Sequence, residues 1–396
     1  MLLAATGVGA GDLLTSTLAG SEAGLAVLWC VAVGAILKWT LTEGIARWQL
    51  ATGMTILEGW SWRLGGWIRW VFLCYLLLFT AVVGRALTSA CGVAGTGFYQ
   101  IGDDPQTSVL IWAVIHSLVG LAMVLLGSFA LFEKVMSALI GIMFVTVLLT
   151  AVVISPDWGA VALGFIPSMP ANGSEWVLAV LGGVGGTVTL LSYGYWIQEQ
   201  GRKGKGMLPI CRIDLAVGNG VTGLFGVAVI IIGSRLELQG QGSMLALAMA
   251  DQLAAAIGPA GRWIFLLGFW GAVFSSLLGV WQSIPYLFAD FVDLQKGQSG
   301  QRGKTDLRTQ APYKIYVCVL AIVPLFFLET PVKQIQLIYG VFGALFLPLL
   351  ALTLLIMNNR KSWVGEGYRT PWVLNAILLG ALLLFTFLGL NELLAG

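Results

Sequence analysis

The sequence predicts an all-α polytopic membrane protein with 11 transmembrane helices. Of its 396 residues, 58% are hydrophobic and only 10% are charged. Apolar stretches recur along the whole chain, each near the roughly 20 residues that a helix needs to cross a bilayer. Positive charge alternates between successive loops, as it does on the two sides of a membrane. These three observations define the fold class before any motif is considered.

The predicted spans follow one another with short connections, so we treat residues 1–396 as a single transmembrane domain. They lie near residues 3–20, 23–46, 66–92, 108–127, 134–154, 177–198, 212–234, 261–289, 313–330, 334–357 and 372–392. Residues 1–20 have no basic segment and no cleavage site of the kind that marks a removable signal peptide. We therefore expect the first span to belong to the protein itself.

The distribution of Lys and Arg predicts the orientation. Most of them fall in the loops after the even-numbered spans, whereas the opposite side carries only Arg235, Arg262 and Lys333. The positive-inside rule then places the N-terminus in the cytoplasm and the C-terminus outside. We expect a multi-pass protein of the plasma (inner) membrane, in contact with the lipid bilayer. A net charge of +2 gives no indication of a nucleic-acid partner.

The first span contains an unusual combination of residues. Gly7, Gly9, Gly11 and Asp12 fall inside an apolar run, where glycine weakens a helix and a carboxylate is costly. This pattern predicts a helix broken near Gly9 to Gly11, which would expose backbone carbonyls to a midplane transport site beside Asp12. The alternative is a glycine-rich packing face with Asp12 near the membrane surface.

The sixth span repeats the pattern five helices later. Residues 182–195 hold Gly185, Gly186 and several hydroxyl groups in the middle of an apolar run. Paired breaks in two halves of a chain are typical of inverted-repeat transporters. We therefore predict inverted repeats at about residues 1–155 and 175–358, with the helix at 372–392 as an addition.

Several polar residues elsewhere have simpler interpretations. Lys38 could pair with Glu43 or reach toward the membrane surface, and we expect no functional role for it. Asp290 and Asp293, at the cytoplasmic end of the eighth span, are expected to be solvated. His116 is the only histidine, which excludes a histidine-based metal cluster but leaves a proton carrier possible. Gln336, in the tenth span before a kink expected at Pro348, could face the core or the membrane surface.

The chain resembles the Nramp family of divalent metal transporters over nearly its whole length. Ala46-Arg47-Trp48-Gln49-Leu50-Ala51-Thr52-Gly53 looks like the A-R-L-G-x-x-T-G segment after that family's second helix, with Glu58 also in place. Residues 185–188 are similar to the G-A-T-V before its sixth-helix site, and Pro348 and residues 358–361 also match. The resemblance implies a LeuT-like fold of five-plus-five inverted repeats, with broken helices 1 and 6 and alternating access.

The resemblance also exposes departures at the metal site. The family's first-helix D-P-G-N falls on residues 9–12, so that Gly9 replaces its Asp and Asp12 replaces its Asn. Its sixth-helix M-P-H falls on residues 189–191, which removes the thioether ligand, whereas its tenth-helix Gln matches Gln336. The available donors are then Asp12, backbone carbonyls near Gly9 and Val188, Thr189 and Gln336. An all-oxygen set favours a hard ion such as Mg²⁺ or Mn²⁺ over soft transition metals.

Proton coupling is expected to be weak or absent. The acidic positions of the family's third helix correspond to Leu78 and Ala81, and its sixth-helix histidines correspond to Leu191 and Trp196. None of these four side chains can carry a proton at neutral pH.

Two other functions remain open from the sequence. One is transport of a small organic solute such as an amino acid, with Asp12 meeting an amine and Tyr193, Tyr195 and Trp196 shaping a pocket. The other is a sensor that has kept the fold and lost transport. Enzymatic chemistry is not expected, because the sequence has neither a nucleophile triad nor a phosphate loop. No cofactor is expected, since the metal ion would be the transported substrate.

Overall fold

The structure is a computed structural model, and it describes residues 11–126, 129–170, 174–183, 186–236, 244–296, 307–327 and 330–395. Gly7, Gly9 and Gly185 lie outside the described residues, and so does the side chain of Asp12. The described residues contain helices and connecting segments and no strand. The predicted all-α class is therefore confirmed for this part of the chain.

The helices are numbered here in chain order. They are α1 Ser16–Ala23, α2 Leu28–Thr52, α3 Ile56–Gly59, α4 Trp67–Phe98, α5 Pro105–Leu126, α6 Phe129–Val153, α7 Trp158–Leu163, α8 Ser174–Gly183, α9 Ser192–Glu199, α10 Leu208–Gly233, α11 Leu245–Ile257, α12 Pro259–Gln295, α13 Ala311–Ile322, α14 Val332–Ala344, α15 Leu347–Met357, α16 Lys361–Val364 and α17 Trp372–Ala395. A π-helical turn over Gly11–Thr15 leads into α1, and a 3₁₀ turn over Val188–Leu191 leads into α9.

In the described part of the chain, eight helical stretches are long and apolar enough to cross a membrane. The first of them, Leu13–Thr52, is 40 residues long and covers the end of the first predicted span and all of the second. Two shorter apolar helices, at 141–153 and 311–326, fall within the fifth and ninth predicted spans. Length and composition thus support a multi-pass protein without establishing eleven separate spans.

The tenth predicted span is divided into two helices. Helix α14 ends at Ala344, and α15 begins at Leu347 with Pro348 in its first turn. Proline is tolerated there because the first N–H groups of a helix have no intrahelical partner. The kink expected at Pro348 is therefore a break of two residues just before it.

The centre of the molecule is formed by helices that approach one another through small residues. Helix α8 packs on α14, and α10 packs on both α1 and α2. A Cβ atom added at Gly182 would lie 2.2 Å from the carbonyl oxygen of Gly340, and one added at Gly20 would lie 2.6 Å from that of Ile230. Such contacts bring backbones together without side chains between them, as is common in membrane helix bundles.

The periphery is apolar, as contact with lipid requires. Exposed side chains on the long helices include Leu78, Leu126 and Leu383. Trp62 and Trp67 are 65% exposed near the start of α4, where tryptophans typically anchor a protein at the membrane surface. Helix α17, at the position of the eleventh predicted span, packs against α15 on the outside of this bundle.

Candidate functional site at the helix breaks

The sixth span is interrupted at its centre. Helix α8 ends at Gly183 and α9 begins at Ser192, with Gly186 and Thr187 in non-helical backbone between them. Gly186 has a φ of +74°, and a Cβ atom there would lie 2.4 Å from the hydroxyl oxygen of Thr189. Both facts require glycine at this position. The break predicted from the glycines is present, and it turns the chain so that Thr187 to Leu191 become buried.

The first span is also irregular, in the segment that packs next to the break in the sixth span. The π-helical turn Gly11–Thr15 packs against α8 and α14, so it lies beside the break in the sixth span. Single π turns within helices occur often at functional sites, because they displace backbone carbonyls from the regular ladder. Leu13 and Leu14 are fully buried, and the hydroxyl of Thr17 donates to the carbonyl oxygen of Leu13 at 2.6 Å.

The described residues place unpartnered oxygen atoms on the elements around the two irregular segments. In this part of the chain the side-chain oxygens with no hydrogen-bond partner, each buried, include those of Thr15, Ser16, Thr187, Ser283 and the Oε1 atom of Gln336. A buried polar atom without a partner is costly, so each such atom needs an explanation such as a bound ion. The site is therefore rich in oxygen atoms that could act as ligands.

Helix α14 contacts the break through Gly343, whereas the predicted ligand Gln336 lies elsewhere along the same helix. Gly343 faces Thr187, since a Cβ atom there would lie 2.7 Å from the methyl carbon of that threonine. Gln336 lies two helical turns earlier, about 10 Å toward the start of the helix at 1.5 Å per residue. Its amide nitrogen donates to the carbonyl oxygen of Ala86 at 2.8 Å and reaches Ser89 Oγ at 3.4 Å. Gln336 is thus a core residue and not a surface one.

The sequence-predicted residues are therefore only partly brought together. Thr189 and Val188 lie in the 3₁₀ turn at the break, whereas Gln336 contacts α4 about two helical turns away. Thr15, Ser16 and Thr187 were missed by the sequence analysis. Their signal was present, since Thr187 directly follows Gly186, and Thr15 and Ser16 come within five residues of Gly11.

A buried lysine at the break is the main correction to the sequence analysis. Lys38 is 0% exposed, and its ammonium group donates to the carbonyl oxygen of Gly182 at 2.8 Å. The expectation that it would reach the membrane surface was wrong. Glu43 instead accepts hydrogen bonds from Arg47 at 3.2 Å and from Arg212 at 2.9 Å.

A second correction concerns the cytoplasmic end of the eighth span, now α12. Asp290 is fully buried and Asp293 is 7% exposed, so the expectation of solvated carboxylates was wrong. Asp290 accepts hydrogen bonds from the hydroxyl of Thr55, at 2.9 Å, and from that of Tyr195. Thr55 also caps α3 in a capping box with Glu58. These bonds tie the inner half-helix α9 to α12 and α3.

The tyrosines of α9 are engaged in these inner contacts. Tyr193 donates to a carboxylate oxygen of Asp214 at 3.1 Å, and the ring of Tyr195 stacks on that of Tyr286. Both tyrosines are at most 4% exposed. Their hydroxyl groups bind carboxylates, which leaves them poorly placed to line a pocket for an organic solute.

His116 lies on α5, away from the breaks, and its side chain faces α12. Trp270 Nε1 donates to its Nε2 atom at 2.8 Å, and its Nδ1 atom lies 2.7 Å from the carbonyl oxygen of Trp112. An accepting Nε2 leaves the proton on Nδ1, which then donates to that carbonyl. Both ring nitrogens are occupied, so His116 has a structural role.

Among the described residues, no three or more His, Cys, Asp and Glu side chains converge on a common point. The candidate ligands at the breaks are hydroxyl and backbone oxygens.

The described residues form an all-helical bundle with two irregular helical segments side by side, which is the architecture of the LeuT-like class of folds. Comparison with solved structures supports this fold. The chain is similar to a mutant of the Eremococcus coleocola manganese transporter, with a TM-score of 0.75 at 16% identity, covering 99% of this chain and 84% of the other. A structure of that transporter with an aromatic bis-isothiourea substituted compound gives a TM-score of 0.70 at 17% identity, with the same coverage.

A more distant similarity joins the chain to MhsT in complex with L-phenylalanine. The TM-score is 0.58 at 14% identity, over 98% of this chain and 97% of the other. At these identities the comparisons establish the LeuT-like fold alone. Comparison with curated proteins gave no match.

The family follows from the sequence model. The model described as natural resistance-associated macrophage protein-like, Nramp, matches residues 1–395. The chain therefore belongs to the Nramp family, and the resemblance seen in its motifs is confirmed.

Proposed function

We propose that this protein transports a divalent metal cation, Mg²⁺ or Mn²⁺, by alternating access between the two sides of the membrane. The observation that carries the proposal is the pair of irregular segments, Gly11–Thr15 and Gly186–Leu191, surrounded by buried oxygen atoms without partners. Membership of the Nramp family and the likeness to a manganese transporter support a divalent ion as substrate.

The chemistry of the donors supports a hard ion. The residues at the breaks offer hydroxyl and backbone oxygens, Gln336 offers an amide oxygen about two helical turns away, and the sequence adds the Asp12 carboxylate. Mg²⁺ binds through one or two carboxylates while keeping several waters, and Mn²⁺ also accepts oxygen ligands. Thr189, where the family has a methionine, removes the sulfur that would favour softer metals.

Weak or absent proton coupling is part of the proposal. His116 uses both ring nitrogens in structural hydrogen bonds. Leu78, at one of the family's acidic positions, is 61% exposed on the outside of the bundle. Neither position offers a titratable group that faces the breaks.

Transport of an organic solute has less support. The tyrosines that would shape its pocket, Tyr193 and Tyr195, bind Asp214 and Asp290 on the cytoplasmic side. A non-transporting sensor is the remaining alternative, and a complete lack of binding would favour it.

Calorimetry on purified protein tests the proposal. Mg²⁺, Mn²⁺ and Ca²⁺ are titrated against wild type, Asp12→Ala and the control Asp103→Ala, which removes an exposed carboxylate in the outer loop. We expect saturable binding of at least one ion by wild type and the control, and a loss of at least about tenfold in affinity, or 1.4 kcal/mol, for Asp12→Ala.

Two outcomes would count against this function. Equal affinities for wild type and Asp12→Ala would remove Asp12 from the site. No binding of any of the three ions, followed by saturable binding of an amino acid, would replace the metal with an organic substrate.

A further inference from the structure

Lys38 is fully buried near the middle of the long apolar helix α2. It is about 15 Å from the first residue of α2 and about 21 Å from the last, at 1.5 Å per residue. A lysine side chain is too short to bring its ammonium group to the membrane surface from that depth. Ionisable residues at such a position face the interior and are functional by default.

The ammonium group lies at the C-terminal end of the half-helix α8, next to the break in the sixth span. Gly182, whose carbonyl oxygen accepts the 2.8 Å hydrogen bond, is the last residue but one of that helix. The final four carbonyls of a helix have no intrahelical partner, and the helix dipole adds partial negative charge there. A half-helix end of this kind is where secondary transporters bind a coupling cation such as Na⁺.

In this chain a side chain already supplies the positive charge. Lys38 comes from α2, a different span from the broken helix, so its ammonium joins the two at the break. A second monovalent cation at the same carbonyls would be repelled by it at close range. In this structure the position is filled by a cation that cannot dissociate from the protein, because it is covalently attached.

We propose that the Lys38 ammonium acts as a resident cation at the C-terminal end of α8, in place of a co-transported Na⁺. Transport then requires no Na⁺ gradient. The expectation that transport needs no Na⁺ gradient rests on the proposed function, whereas the expectation of cation binding in variants without the ammonium does not. Removal of the ammonium leaves a vacant site for a small monovalent cation.

Thermal unfolding of the purified protein in detergent tests the expected cation binding. Wild type, Lys38→Ala, Lys38→Arg and the control Lys314→Ala, an exposed lysine at the start of α13, are compared in choline chloride, NaCl and methylammonium chloride at equal ionic strength. We expect Lys38→Ala to have a lowered midpoint that rises saturably by a few degrees with Na⁺ or methylammonium, because a bound cation stabilises the folded state. The other three proteins show no such rise.

The opposite results would overturn the inference. They are an Lys38→Ala midpoint that no cation raises, or a wild-type midpoint that rises as much as that of the variant. Lys38→Met, which keeps much of the side-chain volume, provides a second neutral variant. Failure of both neutral variants to fold in methylammonium chloride would show that the lysine is needed only for assembly.

Uptake into proteoliposomes separates this inference from the proposed function. Wild-type uptake of Mg²⁺ or Mn²⁺ that requires a Na⁺ gradient overturns the role of Lys38 and leaves metal transport intact. Absence of any metal uptake, together with the cation response of Lys38→Ala, would overturn metal transport and leave the role of Lys38 intact.

Discussion

At the scale of single residues, Gly186 determines the shape of the candidate site. Its φ of +74° is open to glycine and strained for other residues. The hydroxyl of Thr189 occupies the space that any Cβ atom would need. The residue therefore fixes both the turn of the chain and the place of the neighbouring hydroxyl.

Gly186→Ala is expected to lower the midpoint of thermal unfolding and to weaken metal binding. The strained backbone costs about 1–3 kcal/mol, and the 2.4 Å contact must also displace Thr189. Gly201→Ala is the matched control, because Gly201 has a φ of +63° and nothing within 4 Å of its added Cβ. Unfolding scans and calorimetry on both variants measure the difference. Equal losses in the two variants would show that the contact with Thr189 is unimportant.

Particular residues also show what the sequence could predict. The glycines at 185 and 186 predicted the break, because adjacent glycines in the middle of an apolar run weaken a helix. Lys38 and Asp290 could not be placed from the sequence, because their burial depends on helices 144 and 235 residues away that donate or accept their hydrogen bonds. Gln336 left two alternatives open, and packing against α4 decided between them.

At the scale of elements, the half-helix α9 is held by tyrosine hydrogen bonds to its neighbours. Tyr195 binds Asp290 on α12, and Asp290 also accepts from Thr55 at the start of α3. Alternating access requires such contacts to break when the site opens inward. We therefore propose that this pair forms part of a gate of the transport site.

Tyr195→Phe is expected to loosen α9 and expose Cys211, which is fully buried beneath it. The lost hydroxyl leaves the Asp290 carboxylate with one donor fewer, and such a change costs about 1–3 kcal/mol. Alkylation of Cys211, followed by peptide mass spectrometry, is expected to be several-fold faster than in wild type. The control is Tyr99→Phe, since Tyr99 is 69% exposed. An unchanged rate in Tyr195→Phe would remove this tyrosine from the gate.

The order of helices was more predictable than their ends. Hydropathy located the long spans, because apolar runs of that length have one stable arrangement in a bilayer. It did not predict α11, Leu245–Ile257, in the loop between the seventh and eighth spans. It also placed the tenth span as one helix, whereas a two-residue break separates α14 from α15.

At the scale of the whole molecule, the chain keeps the Nramp architecture with a different set of candidate ligands. The family model matches residues 1–395, while the thioether position is Thr189 and the first-helix Asp position is Gly9. The fold depends on glycine contacts and apolar packing spread over many helices. The site depends on a few positions, so its chemistry can differ while the architecture persists.

The central claim is that this architecture moves a hard divalent ion without strong proton coupling. The most direct measurement is Mn²⁺ and Mg²⁺ uptake into proteoliposomes, with and without a pH gradient and with internal pH recorded by a trapped dye. We expect saturable uptake that is lost in Asp12→Ala, little changed by the pH gradient and unaccompanied by acidification. Uptake that acidifies the interior in step with metal entry would contradict the account, and so would the absence of uptake of either ion.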